Sequence, residues 1–64
     1  MKYFNKDKVD VRGSLSHGSG CSIDVNVIIE GKVIIGDNVT IGSNCIIKDT
    51  VIGNNTIIKP YTHI

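Results

Sequence analysis

The side chains best suited to metal binding or acid–base chemistry here are His17, His63, Cys21, Cys45 and the carboxylates Asp24, Glu30 and Asp37. His17 and Cys21 stand at His-x3-Cys spacing, but a metal site needs several ligands converging on one point. No second ligand pair supports them, so His17 reads as a structural histidine. His63 lies far away in the sequence. The three carboxylates fall at turn positions, where aspartate caps free backbone N–H groups, and they are not paired for acid–base work. Gly18-Ser19-Gly20 lacks the third glycine and the following helix of a dinucleotide-binding loop. No nucleophile has a base beside it at a recognisable spacing. The residues themselves therefore offer no catalytic, cofactor-binding or metal-binding set.

What positions these residues is a six-residue repeat, clearest from Ile23 to Cys45. Isoleucine leads each unit at Ile23, Ile29, Ile35, Ile41 and Ile47, and a compact side chain follows four places later at Val27, Val33, Val39, Cys45 and Val51. A fixed short period is the signature of a solenoid. A helix fails as its basis, because residues six apart advance about 600° and scatter around a helix turning about 100° per residue. Short strands succeed. Their period of two puts the first and fifth slots of each unit on one side, and three strands per turn make a triangular coil. Asn26, Asn38, Asn44 and Asn55 share the fourth slot, where a corner suits a residue tolerant of the left-handed backbone region.

Counting in eighteens predicts three interior ladders of leading residues. They are Val11, Ile29, Ile47 and Ile64; His17, Ile35 and Ile52; and Ile23, Ile41 and Ile58. The small-residue ladders are Leu15, Val33 and Val51; Cys21, Val39 and Thr56; and Val27, Cys45 and Thr62. One unit, Ile47-Lys-Asp-Thr-Val, is a residue short, a slip tolerable at a corner. Asn26 over Asn44 and Asn38 over Asn55 predict side-chain amide ladders along two corners. Cys21 and Cys45 occupy the same slot on different faces, so they read as small buried hydrophobes with no disulfide between them. Ile28, Ile34, Ile46 and Ile57 take the outward sixth slot. Ile28 and Ile46 are one coil apart, with His63 on the same edge. These three residues are the candidate interface with another chain.

The chain divides into residues 1–10, which lack the period and read as a leader or connector, and residues 11–64, the repeat domain. Tyr3 and Phe4 would either be solvated or lie on the end of the repeat. A 64-residue chain buries only about 60% of its unfolded surface, which favours a homo-oligomer. The net charge of +1 gives no electrostatic case for nucleic acid or an anionic membrane. No apolar run approaches the roughly 18 residues of a membrane helix, and no secretory signal is evident. The cytoplasm is the expected location.

Residues Val9-Asp-Val-Arg-Gly-Ser-Leu-Ser-His-Gly, Ile23-Asp-Val-Asn-Val-Ile-Ile-Glu-Gly and Ile41-Gly-Ser-Asn-Cys-Ile-Ile-Lys-Asp-Thr-Val-Ile-Gly, slip included, resemble one family, as does Lys59-Pro-Tyr-Thr. It is the bacterial bifunctional N-acetylglucosamine-1-phosphate uridyltransferase/glucosamine-1-phosphate acetyltransferase. The resemblance covers roughly residues 9 to 64. It implies an all-β, left-handed parallel β-helix of hexapeptide repeats, here about three coils, which trimerises. Acetyl-CoA and Mg2+ are implied for the parent family. Its nucleotide loop would lie upstream of the matched region, and its acetyl-CoA coils and catalytic histidine downstream. Neither His17 nor His63 corresponds to that histidine, so no functional residue carries over. The segment is expected to be a scaffold, inactive alone. The alternatives are a minimal hexapeptide-repeat acyltransferase with a site between subunits, or a non-catalytic assembly module.

Overall fold

A computed structural model describes residues 1–64 as a parallel β-solenoid of about three turns. Eight strands follow in order: β1 (Lys2–Tyr3), β2 (Val9–Ser16), β3 (Ser22–Ile23), β4 (Val27–Ile35), β5 (Thr40–Ile41), β6 (Ile46–Lys48), β7 (Val51–Ile52) and β8 (Ile57–Ile58). Every pairing between them is parallel. One face stacks β1, β3, β5 and β8; β4 pairs with β2 below and with both β6 and β7 above. A straight nine-residue strand would run roughly 27 Å, longer than the 22 Å maximum extent of the molecule. β4 therefore bends around a corner and serves two faces.

The bend sits at Gly31, whose φ is +66°. Gly13 lies directly below it, in register. A Cβ on Gly13 would come within 2.2 Å of the Gly31 carbonyl oxygen, so this corner stacks backbone on backbone. Glu30 accordingly lies within a strand rather than at a turn. At the other corners Asn26, Asn38, Asn44 and Asn55 all adopt φ between 56° and 61°, the left-handed conformation expected of the fourth slot. Tyr61 holds the same slot at φ 64°, a conformation a β-carbon disfavours.

Twelve residues are buried and all are apolar: Cys21, Ile23, Val27, Ile29, Val33, Ile35, Val39, Ile41, Cys45, Ile47, Ile52 and Ile58. Each such side chain withdrawn from water contributes about 1.5–3 kcal/mol. The Ile23–Ile41–Ile58 ladder is formed, as is Val11–Ile29–Ile47. Ladder ends remain wet: Val11 is 41% and Ile64 47% exposed. His17 is exposed too, since no coil lies beneath it to enclose the leading slot.

One predicted ladder is corrected. Ile34 pairs with Val51 and Ile35 with Ile52, so Thr50, not Val51, lies level with Val33. Thr50 is half-buried, whereas Val51 is 75% exposed. The missing residue is at the level of Lys32, ahead of Thr50, which moves Val51 into the outward slot. Glu30 still pairs with Lys48 at a spacing of eighteen; beyond it the spacing is seventeen. The Asp49 side chain fills the gap: its Oδ1 accepts the Lys32 N–H at 3.0 Å.

The amide ladders are also corrected. The asparagine corners are tied through backbone instead: Asn38 N–H donates to Ser19 O at 2.8 Å, Asn44 N–H to Val25 O at 3.0 Å and Asn55 N–H to Asp37 O at 2.8 Å. The left-handed conformation turns each N–H down toward the coil below, leaving the side chain unneeded for the contact. Oxygen-bearing third-slot side chains link coils at one corner. Asp37 Oδ1 accepts from Ser19 N–H at 2.9 Å, and Asn54 Oδ1 from Asp37 N–H at 2.7 Å.

Residues 1–10 do not stand apart from the solenoid. Lys2 and Tyr3 pair with Ser22 and Ile23, Tyr3 packs against the core, and β2 begins at Val9, two residues before the repeat was counted to start. Phe4 is 61% exposed. A 3-10 turn at Lys6–Lys8, capped by the Asn5 side chain, inserts two residues. That makes the spacing from Tyr3 to Ile23 twenty and hides the period.

Candidate functional site

The outward slot of the first face, the one built from β2, the start of β4 and β6, collects the predicted interface residues. Ile28 pairs with Ile46, Ile46 forms a parallel bridge to His63, and Asp10 pairs with Ile28 from below. The two isoleucines are half-buried, while Asp10 and His63 are exposed at the ends of the row. Strand alternation puts Arg12, Glu30 and Lys48, which pair in turn, on this same outer face. Arg12 Nε lies 2.7 Å from Asp10 Oδ2 and its Nη1 3.9 Å from Glu30 Oε1. Arg12 and Asp10 are exposed and Glu30 is half-buried, so these pairs contribute under about 1 kcal/mol and place charge beside an apolar row. Asp10 escaped the sequence reading because it falls in the region without a visible period.

A depression of about 300 Å³ lies at the foot of this row, lined by Asp7, Lys8, Asp10, Asn26, Val27 and Ile28. A second, of about 490 Å³, is lined by Lys32, Ile34, Asp49, Thr50 and Val51 and sits where the coil is one residue short. Apolar exposure is not confined to the first face. Val51 and Ile57, on the other two faces, are 75% and 73% exposed, more than Ile28 or Ile46. Sequence counting missed Val51 because it assigned that residue to the interior.

The titratable residues stay dispersed. His17 Nδ1 lies 2.9 Å from the Gly18 carbonyl. Cys21 turns its thiol to Gly36 O at 3.0 Å and Cys45 to Lys59 O at 3.2 Å. Both thiols are free and buried. Thr56 and Thr62, in the same fifth slot, donate to Gly53 O at 2.8 Å and Lys59 O at 2.6 Å. The fifth slot thus accepts a compact side chain that donates a hydrogen bond to a corner carbonyl, a use the cysteines share. Asp24 Oδ1 caps the Val25 N–H at 2.7 Å, and Asp37 and Asp49 bridge coils as described. No three histidine, cysteine or carboxylate side chains converge where they could hold a metal ion.

The arrangement is thus a parallel β-solenoid with apolar and charged side chains on its outward faces. Residues 15–49, more than half of the chain, match the family of bacterial transferases described as hexapeptide (six repeats). The matched span runs from the Leu15 slot through the two regular coils to Asp49, the residue that closes the short one. The chain belongs to the bacterial transferase hexapeptide family.

Proposed function

We propose that this chain is a scaffold and trimerisation segment of the bifunctional enzyme type that forms UDP-N-acetylglucosamine, by acetyl transfer to glucosamine-1-phosphate and uridylyl transfer, and that it carries neither active site itself. The observation behind this reading is the specific resemblance from Val9 to Gly18, together with the five-residue unit from Ile47 to Val51. Within the solenoid that unit is anchored by Asp49 on the Lys32 N–H, which gives the short coil a structural purpose. The Asp10–Ile28–Ile46–His63 row is the surface assigned to subunit contact, because an apolar row flanked by charge suits burial against a like chain. On this reading acetyl-CoA and Mg2+ act elsewhere in the parent enzyme, in the cytoplasm, and the segment engages neither nucleic acid nor membrane.

The test has two parts. The purified 64-residue chain, given acetyl-CoA and glucosamine-1-phosphate, should show no turnover, and its sedimentation should report three chain masses. Turnover would favour a minimal acyltransferase with a site between subunits instead. A monomer that stays a monomer at high concentration would remove the trimerisation role.

A further inference from the structure

We infer, building on the trimerisation reading, that the Gly13–Gly31–Asp49 corner points at the threefold axis, so that the face carrying Ile28 and Ile46 on one copy meets the face carrying Ile34 and Val51 on the next. This corner separates two of the three faces. On one side of it the outward row is Asp10, Ile28 and Ile46; on the other it is Ser16, Ile34 and Val51. The remaining face, of β1, β3, β5 and β8, turns out Lys2, Ser22, Thr40 and Ile57, apolar at its last level alone. Only the Gly13–Gly31–Asp49 corner therefore has an apolar pair on both flanks.

The two flanks are complementary. Ile28 lies three residues before Gly31 and Ile34 three after it; Glu30 lies one before and Lys32 one after. Val27, Ile29, Val33 and Ile35 are buried, so the alternation of β4 turns these four outward at one level. Rotation about an axis leaves heights unchanged. In a closed ring of heterologous contacts, Ile28 thus faces Ile34 of the next copy, and Glu30 faces its Lys32. One coil up, Ile46 faces Val51. Lys48 precedes the corner there and the Asp49 carboxylate stands above Lys32, so the signs are reversed and again opposite. Neither Lys32 nor Lys48 has an ionic partner within its own chain.

The corner is also shaped for the approach. Gly13 and Gly31 carry no side chain, and the Asp49 carboxylate lies over Gly31. Three triangular coils meeting corner-first about an axis leave wedges of about 60°, each about as wide as its distance from the axis. Three residues along a strand from the corner is about 10 Å, which is also the spacing of two sheets packed face to face. Ile28 and the next copy's Ile34 stand at that spacing. The depression of about 490 Å³ lined by Lys32, Ile34, Asp49, Thr50 and Val51 then receives Ile46 and Lys48 of the neighbour.

Sedimentation of the full 64-residue chain tests the arrangement, with circular dichroism reporting the solenoid in each variant. Val51→Lys should weaken association at least tenfold, and Ile57→Lys on the remaining face should leave it unchanged. Glu30→Lys and Lys32→Glu singly should each weaken it at least tenfold, because each sets like charges together at all three contacts. The double variant Glu30→Lys/Lys32→Glu should restore the trimer. An equimolar mixture of the two single variants should restore part of it, which only pairing between chains can do. A wild-type chain that never reaches three chain masses removes both the trimer and this corner's place at its axis. A trimer that survives Val51→Lys, that both charge reversals leave unchanged, or that the double variant fails to restore keeps the trimerisation reading and overturns the axis assignment.

Discussion

The Asp49 carboxylate accepts the Lys32 backbone N–H at 3.0 Å, and this bond closes the one coil that is a residue short. In a full unit a backbone carbonyl would stand at that level; here a side chain replaces it. Asp49→Ala leaves the Lys32 N–H without its partner. The expected destabilisation is about 1–2 kcal/mol, toward the low end of the range for an orphaned donor because the site is exposed. Asp49→Asn keeps an oxygen at the same reach and tolerates the φ of 44°, so most of the stability should return. Urea unfolding of the three proteins checks both statements.

Gly31 lies beneath that carboxylate. A Cβ there would come within 1.8 Å of Asp49 Oδ1, and its φ of +66° disfavours any side chain. Gly31→Ala should therefore cost about 1–2 kcal/mol from backbone conformation alone, and more from displacing Asp49. The same denaturation measurement reads it. A loss below about 0.5 kcal/mol would mean that the corner relaxes freely and that its stacked geometry matters little.

Tyr61 is the reverse case. It sits at φ 64° in the slot that asparagine fills elsewhere and is 81% exposed. Its N–H still donates to Ser43 O at 3.0 Å, so the corner needs the conformation and not the ring. Tyr61→Asn should raise stability by about 1 kcal/mol, as left-handed backbone is less costly for asparagine. A thermal midpoint that falls would show that the ring makes stabilising contacts.

On the proposed trimerisation through the β2–β4–β6 face, replacing Ile28 and Ile46 together by lysine should reduce the sedimenting mass toward a single chain while leaving the circular dichroism of the solenoid in place. Both residues point outward and only half-buried surface is altered. The matched control is Ile57→Lys, on the face of β8. If the control dissociates the assembly and the Ile28/Ile46 variant does not, subunit contact belongs to that face.

Cys21 and Cys45 are 2% and 0% exposed and point their thiols at carbonyl oxygens. In the native protein both should react with a thiol reagent at least a hundredfold more slowly than in denaturant, where two equivalents are titrated. Reductant should change neither the mass nor the unfolding midpoint. Rapid native labelling of Cys45 would show that the last coil opens readily.

The solenoid was legible because its signal is redundant. Ile23, Ile41 and Ile58 each independently declare the inward direction, and the asparagines declare the corners. Position within the short unit was not legible, since Ile47-Lys-Asp-Thr-Val aligns equally well with a gap before or after Thr50. Only the Asp49 side chain standing in for backbone decides it, and that is a three-dimensional fact. The first coil was hidden by the Lys6–Lys8 turn, which stretches the Tyr3–Ile23 spacing to twenty. Ile28, Ile46 and His63 stand in one spatial row, an alignment that follows from period alone. Asp10 and Val51 were misplaced, since each lies beside an irregularity in that period. The bonds of Cys21, Cys45, Thr56 and Thr62 to corner carbonyls leave no trace in composition, which marks the slot only as compact.

A strictly periodic solenoid has a hazard in how it forms. If every coil were alike, a strand could settle one coil too high or too low and still find isoleucine beside isoleucine, so shifted arrangements would compete closely with the correct one. The short coil removes that degeneracy. The Asp49 carboxylate stands over Gly31 and takes the Lys32 N–H; moving the chain by eighteen residues would set it against Gly13 and Ser14 instead and bring the seventeen-residue spacing onto β2, whose register with β4 is eighteen throughout. The missing residue works as a key cut into an otherwise uniform stack, telling the folding chain which turn it has reached.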